Sequence, residues 1–382
     1  MSDMPLKRLH LVGHAAGATL NFRAPLIADL VAAGCRVDVL APDWTPQQLE
    51  RLRALGAQGA LFPLARTGLN PLQDLRTLWA LYRHLRRARP DAVLTFAAKT
   101  NVWGMLAAAW AGVPRRVAMV EGMGYAFTDG EQGRRTLKQR ALGWVLAGLY
   151  RWAFRAAHCV LVLNPDDARD LQHDCGLAAE KTVLLGGIGL PLDEWPCQPP
   201  HFEPLTFTLV ARLLREKGVR EFLEAARQIK GEYPKTRFWL LGPLDENPGG
   251  LTRADIEPWV REGLVEWPGA VDVRPWLAQT SVFVLPSYRE GVPRSTQEAM
   301  ALGRPVITTE APGCRETVVD GLNGFLVPPR DVAALAAAMR RFIEQPSLVE
   351  TMGRESRRLA EERFDVRRAN ALLMRVLGTK RN

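Results

Sequence analysis

The feature that most constrains this chain is an alternation that runs twice. Short apolar runs, each of strand length, are separated by stretches with helical periodicity, and a proline-rich break divides the two series. In the first series 8–13, 36–41, 92–96, 116–120, 159–163 and 182–185 read as strands, while 20–33, 71–89 and 102–111 read as helices. Gly34 and Gly112 stop two of the helices, and Pro42 and Pro90 end a strand and a helix. Strands that alternate with helices in this way build a mostly parallel sheet with helices on both faces.

The break is 190–200, where four prolines in eleven residues can continue neither a helix nor a central strand. The alternation then restarts, with strands expected at 205–211, 237–241, 282–285, 305–309 and 324–327, and a helical C-terminus from 331 onward, broken at Pro346 and near Phe364. The organisation expected is therefore α/β. A first domain covers 1–195, a linker 196–203, a second domain 204–364, and a C-terminal crossover helix and tail 365–382. With 382 residues, each domain is large enough for its own core. Two such domains joined by a hinge face each other across a cleft, and ligands of such sheets bind beyond the carboxyl ends of the strands.

Several classes are excluded. No segment reaches the ~18 apolar residues of a membrane span, and the N-terminus lacks the charged-then-apolar pattern of a signal peptide, so a cytoplasmic protein is expected. The five cysteines are odd in number and widely spaced, which argues against a disulfide framework or a zinc site. The net charge of +9 is concentrated: between 76 and 158 there are 14 Lys or Arg against four Asp or Glu. Such a window either attracts an anionic partner, a membrane or lipid phosphate among them, or forms a solvated surface.

Three segments of the second domain carry chemistry. In Val210-Ala211-Arg212-Leu213-Leu214-Arg215-Glu216-Lys217-Gly218, Arg212 and Lys217 flank a loop after a strand. They either converge on one phosphate group or are two surface charges. In Ser287-Tyr288-Arg289-Glu290-Gly291-Val292-Pro293-Arg294-Ser295-Thr296-Gln297-Glu298, two carboxylates stand eight positions apart across a strand-turn-helix junction, which presents backbone N–H groups to an anion. The competing reading is a capping box, with Glu298 reaching back to the Ser295 N–H. The third segment, 309–316 with the turn 320–324, either lines a cleft or only connects elements.

Taken together these residues resemble glycosyltransferase family 4, retaining enzymes of the GT-B fold with two Rossmann-like domains. The resemblance rests on the R-x₄-K spacing of Arg212 and Lys217, the E-x₇-E spacing of Glu290 and Glu298, Glu298-Ala299-Met300-Ala301-Leu302-Gly303-Arg304-Pro305, Pro312-Gly313-Cys314-Arg315-Glu316 and Asn323-Gly324-Phe325. It implies a nucleotide-diphospho-sugar donor, with UDP the expected nucleotide. Arg212 and Lys217 would hold the diphosphate and Glu298 the ribose. Glu290 would face the sugar, and Gly291, Val292, Pro293, Arg294, Ser295 and Thr296 would contact sugar and phosphate. Glu290, Arg212 and Lys217 are the residues implied in catalysis. No cofactor and no metal are implied, since the acidic pair of the other glycosyltransferase class is absent.

In the first domain Gly13-His14-Ala15-Ala16-Gly17 resembles the family's glycine loop, with His14 where a glycine is usual. Lys99-Thr100-Asn101 and Glu121-Gly122-Met123-Gly124-Tyr125 resemble a subgroup that extends lipid-linked oligosaccharides, often with N-acetylated sugars. Gly13, His14, Gly17, Lys99, Asn101, Glu121, Gly122, Gly124 and Tyr125 are thus acceptor-side candidates, Glu121 standing where many members have a histidine. The resemblance implies a polyprenyl-diphosphate-linked acceptor in polysaccharide or glycan assembly. The basic stretch 134–140 and the apolar run 141–150 suit a helix lying at the inner face of the cell membrane, or a core helix with a basic outer face. Two other classes remain at this point, a nucleotide-sugar epimerase of the same architecture and a basic non-catalytic binding module, although no nucleic-acid motif is present.

Overall fold

A computed structural model describes residues 6–65, 68, 70–247 and 249–379. The described residues form two compact units, one from those within 6–121, 143–188 and 366–379, the other from those within 122–142 and 189–365. Residues 122–142 and 189–195 thus group with the second unit, although the proline break assigned all of 1–195 to the first. Prolines mark where the backbone must bend; they carry no information on which core a loop packs against.

The first unit is a seven-stranded sheet in the order β3-β2-β1-β4-β5-β6-β7, parallel throughout. Its strands are β1 (Arg8–Val12), β2 (Arg36–Ala41), β3 (Gln58–Leu61), β4 (Ala92–Phe96), β5 (Arg115–Val120), β6 (Cys159–Val162) and β7 (Thr182–Leu184). Its helices are α1 (Ala16–Ala32), α2 (Pro46–Ala54), α3 (Pro71–Ala88), α4 (Ala98–Trp110), α5 (Leu137–Ala156), whose first residues belong to the other unit, and α6 (Pro165–Cys175). All five residues of β4 are buried, which is why it reads as a continuous apolar run. By contrast β3 is a mostly exposed edge strand with no such run, and the sequence does not announce it. Helix α3 shows its start in sequence: Asn70 accepts from the Gln73 N–H at 3.3 Å, and Pro71 takes the first helical position.

The second unit is a six-stranded sheet in the order β10-β9-β8-β11-β12-β13. Its strands are β8 (Thr206–Val210), β9 (Arg237–Leu241), β10 (Glu266–Gly269), β11 (Val282–Leu285), β12 (Val306–Thr309) and β13 (Gly324–Val327), all parallel to their neighbours. Between and after them run α7 (Val219–Glu232), α8 (Arg253–Arg261), α9 (Arg274–Ala278), α10 (Arg294–Ala301), α11 (Val332–Glu344) and α12 (Ser347–Arg363). Phe207, Phe222 and Phe238 centre the core under α7, the first and last stacked at 5.3 Å.

The last helix, α13 (Val366–Leu377), belongs to the first unit. It buries Val366, Ala369, Leu373 and Leu377, and Asn370 Nδ2 donates to Asp29 Oδ2 on α1 at 2.6 Å. The C-terminal helix therefore returns to the first domain, as expected.

Candidate functional site

In the second unit the strand order reverses at β8, which has β9 on one side and β11 on the other. The loops leaving the carboxyl ends of these strands diverge there, and that is where an open α/β sheet offers a crevice. The loop after β8 carries Arg212 and Lys217, the loop after β9 carries Asp245, and the loop after β11 carries Ser287 and Glu290.

The cations and carboxylates singled out in sequence form separate pairs. Lys217 Nζ lies 2.5 Å from Glu290 Oε1, and the Ser287 hydroxyl donates to the same oxygen at 2.8 Å. Both partners of this pair are mostly buried, so it is screened less than a surface pair. Arg212 is more exposed and bonds Asp245 Oδ2 at 2.7 Å. Burial pushes the Asp245 carboxyl up, but the Asn247 N–H at 2.8 Å and Arg212 outweigh it and leave it below the usual carboxylate range.

Glu298 lies within α10, where Arg294 Nε meets its Oε1 at 3.1 Å. Burial raises its carboxyl above the ordinary value and Arg294 opposes that rise. The capping-box reading is overturned. Helix α10 begins at Arg294 with Pro293 as its N-cap, so Ser295 is already inside the first turn and Glu298 pairs with Arg294 instead. The helix has no side-chain cap and no acidic residue in its first turn. Its N-terminal N–H groups, Ser295 and Thr296 among them, are positioned for an anion. The Thr296 hydroxyl is fully buried and has no hydrogen-bond partner among the described residues.

Two glycines hold these loops at their spacing. Gly218 has φ +69°, and a Cβ there would run into the Pro286 carbonyl on the β11 loop. Gly313 has φ +74°, and a Cβ would strike the Glu290 and Gly291 carbonyls. The Glu290 N–H donates to the Pro312 carbonyl at 2.9 Å. The third sequence segment is thus a brace for the glutamate loop. The following turn closes on itself through Asn323, whose Oδ1 accepts from the Val319 N–H and whose Nδ2 donates to the Thr317 carbonyl.

The acceptor-side candidates divide between the units. In the first, Gly13 follows β1 and leaves no room for a Cβ, which would overlap the Phe96 ring. His14 is half-buried beside it in sequence, and Gly17 lies inside α1 rather than in a loop. Lys99 sits in the first turn of α4 and bonds the buried Asp74 at 2.9 Å. Asn101 is fully buried: its Oδ1 accepts from the Thr95 hydroxyl and its Nδ2 donates to the Met119 carbonyl, both at 2.7 Å. Both ends of that amide are spent joining β4 to β5, so the structure gives it a framework role rather than an acceptor contact. Glu121, at the end of β5, is ion-paired with Arg23 of α1. Arg23 is only 2% exposed and its guanidinium lies over the Phe96 ring at 5.2 Å. Gly122, Gly124 and Tyr125 belong to the second unit, where a Cβ on Gly122 would come 3.2 Å from the Gly291 nitrogen. Tyr125 lines a cavity of about 130 Å³ with Thr128, Gln139, Arg215, Glu216 and Tyr288.

Sequence reading missed Asp245 and Arg23, and assigned no role to Ser287 within its segment. Asp245 and Ser287 stand just past strand ends, the position that singled out Arg212, and the same rule would have found them. Arg23 lies inside a helix, and no sequence signal separates it from a surface arginine.

Two family models match the chain, one described as Glycosyltransferase Family 4 over residues 25–187 and one as Glycosyl transferases group 1 over residues 204–345. The N,N'-diacetylbacillosaminyl-diphospho-undecaprenol alpha-1,3-N-acetylgalactosaminyltransferase of Campylobacter jejuni is 30% identical over 356 residues, 89% of this chain and 90% of that protein. The chain belongs to glycosyltransferase family 4. Another relative, the UDP-Gal:alpha-D-GlcNAc-diphosphoundecaprenol alpha-1,3-galactosyltransferase of Escherichia coli, is 26% identical over 72% of each chain. Among solved structures, sucrose-phosphate synthase of Thermosynechococcus elongatus superposes with a TM-score of 0.75 at 21% identity, covering 97% of this chain and 98% of that one. Anabaena HepE, solved with UDP-glucose, gives 0.74 at 19% identity over 97% and 99%. These likenesses show the fold, two parallel α/β domains of the GT-B type. For a family-4 glycosyltransferase, membership sets aside the non-catalytic binding module. The motif residues Arg212, Lys217, Glu290 and Glu298 lie on or just after the strand-end loops of the second unit.

Proposed function

We propose that the protein is a retaining glycosyltransferase moving a sugar, an N-acetylhexosamine or a close relative, from a UDP-linked donor to a polyprenyl-diphosphate-linked acceptor in surface polysaccharide or glycan assembly. The observation that carries the reaction class is the mostly buried Lys217–Glu290 pair at the switch point of the second sheet. It sets a cation for a diphosphate beside a carboxylate for a sugar. The acceptor and donor classes draw support from the two relatives, one named for a diphospho-undecaprenol acceptor and one for UDP-Gal and a diphosphoundecaprenol-linked GlcNAc.

In this mechanism the acceptor hydroxyl attacks the anomeric carbon on the face from which the diphosphate departs. The bond from that carbon to the β-phosphate oxygen breaks as the new glycosidic bond forms, and the acceptor proton passes to the departing phosphate oxygen. Negative charge grows on the diphosphate, where Arg212, Lys217 and the α10 N–H groups meet it. Glu290 faces the positive charge that develops on the sugar, and Glu298 accepts from the ribose hydroxyls. Neither carboxylate is assigned to a metal, and the nucleotide-sugar is a substrate rather than a cofactor.

Association with the inner face of the membrane belongs to the same reading. Among the described residues no helix is long and apolar enough to cross a membrane. Helix α5 exposes Leu137 and Trp144, each 81% accessible, and Trp152, among the arginines of the basic window. The test is a donor screen against a synthetic polyprenyl-diphosphate-sugar acceptor in chelator. Expected are acceptor-dependent release of UDP, a product heavier by one sugar, and the donor's anomeric configuration kept. Conversion of the donor without acceptor, or inversion at the anomeric carbon, would overturn the proposal.

A further inference from the structure

Arg330, in the loop between β13 and α11, has a left-handed backbone with φ +67°, a conformation that disfavours every residue with a Cβ and suits glycine. Its side chain reaches residues distant in sequence. Nε donates to the Gly130 carbonyl and Nη2 to the Asp129 carbonyl, both at 2.7 Å, and the guanidinium stacks over the Tyr288 ring at 4.2 Å. Tyr288 is tied in turn to both loops of the switch point. Its N–H donates to the Glu216 carbonyl at 2.9 Å, one residue before Lys217, and it stands two residues before Glu290. Its hydroxyl donates to Glu221 at 2.6 Å, which together with burial holds the phenol in its protonated form.

From these contacts we infer that Arg330 is a positioning residue for acceptor use: it fastens the 124–131 segment, which carries Tyr125, to the two loops that hold Lys217 and Glu290. The inference rests on the transferase reading given above. Among the described residues its guanidinium makes no bond to Arg212, Lys217, Glu290 or Glu298, so the diphosphate and ribose contacts of the proposed donor site do not use it directly. The segment it clamps contains acceptor-side candidates, and an attacking hydroxyl must be held to within a few tenths of an ångström for efficient transfer. A second, weaker tie runs parallel, from Arg215 to Glu131 at 3.4 Å. Arg330 reaches the carbonyls of the turn and the Tyr288 ring at once.

The left-handed backbone supplies a discriminating variant. Arg330→Gly removes the guanidinium while relieving the backbone, so a purely structural arginine predicts lost stability and a positioning one does not. The expected result is a Tm unchanged or raised, UDP affinity within about 2-fold of wild type, and an acceptor KM raised about 10-fold. Arg330→Lys, a donor without the planar fork, should recover only part of the acceptor KM. Trypsin cleavage after Arg134 and Arg135, followed by mass spectrometry, reads the fastening of the segment without any substrate and should be faster in Arg330→Gly. An unchanged acceptor KM or an unchanged cleavage rate would overturn the inference. A wild-type protein that fails to use the lipid-linked acceptor would overturn the functional reading instead, and the trypsin rates would still decide whether Arg330 clamps the turn.

Discussion

At the scale of single residues, the proposed donor site is a set of ion pairs. Without ligand, Lys217 neutralises Glu290 and Arg294 neutralises Glu298. In the proposed function a diphosphate and a ribose would compete for the same charges, so these side chains would have partners with and without ligand. Lys217→Ala should lower kcat on the order of 10²-fold, the usual effect of losing one group aimed at developing charge. Nucleotide release measures it, and unchanged turnover would remove Lys217 from the mechanism. Glu298 adds a pH signature. Burial raises its carboxyl, and in the role proposed for it the ionised form would accept from both ribose hydroxyls. UDP binding should therefore weaken as pH falls through that raised value, and Glu298→Gln should flatten the profile. Calorimetric titration across the acid range tests this; superimposable profiles would assign Glu298 a structural role.

At the scale of elements, patterns that depend on burial were readable and patterns that depend on edges were not. Strands β4 and β11 are buried along their whole length, and their apolar runs place them within a residue of their observed ends. Strand β10 contains Glu266-Trp267-Pro268-Gly269 at a sheet edge, where one side of the ladder is open and a proline is tolerated. Nothing in its composition marks it as a strand. The α10 start shows a different limit. Ser295-Thr296-Gln297-Glu298 satisfies the capping-box spacing, yet the helix takes Pro293 as its N-cap, two residues earlier, and Arg294 supplies Glu298 with a stronger, charged partner. Asn101 marks the same boundary on the acceptor side. Asn101→Ala would leave the Thr95 hydroxyl and Met119 carbonyl buried without their partner, a loss of about 2–3 kcal/mol. A thermal melt should show the drop, while the acceptor KM of the folded fraction stays at the wild-type value; a raised KM with an unchanged Tm would restore Asn101 to the acceptor site.

At the scale of the whole molecule, charge and exposed aromatics gather in one stretch of chain. Between 76 and 158 lie 14 Lys or Arg, and Trp79, Trp110, Trp144 and Trp152 within it are all more than half exposed. Replacing Arg134, Arg135 and Lys138 by Gln should weaken binding to phosphatidylglycerol liposomes about 10²-fold, at about 1 kcal/mol for each charge near an anionic surface. Co-sedimentation reads the effect, and added salt should reproduce it. Equal sedimentation of variant and wild type would remove the membrane from the proposal.

By itself the sequence determined the class of fold, the two-series organisation and the identity of the charged residues at strand ends. Those features are local: an apolar period, a proline, a motif of fixed spacing. Tertiary structure alone decided which charges meet. Lys217 and Glu290 are 73 positions apart and Arg212 and Asp245 are 33 apart. Arg330 reaches Asp129 across 201. Such pairings depend on the strand order, which brings loops from β8, β9 and β11 to one edge, and strand order is fixed by how helices pack on the sheet. The grouping of 122–142 with the second unit has the same origin: the Arg330 guanidinium bonds the Asp129 and Gly130 carbonyls over the Tyr288 ring, and neither partner leaves a periodic trace along the chain.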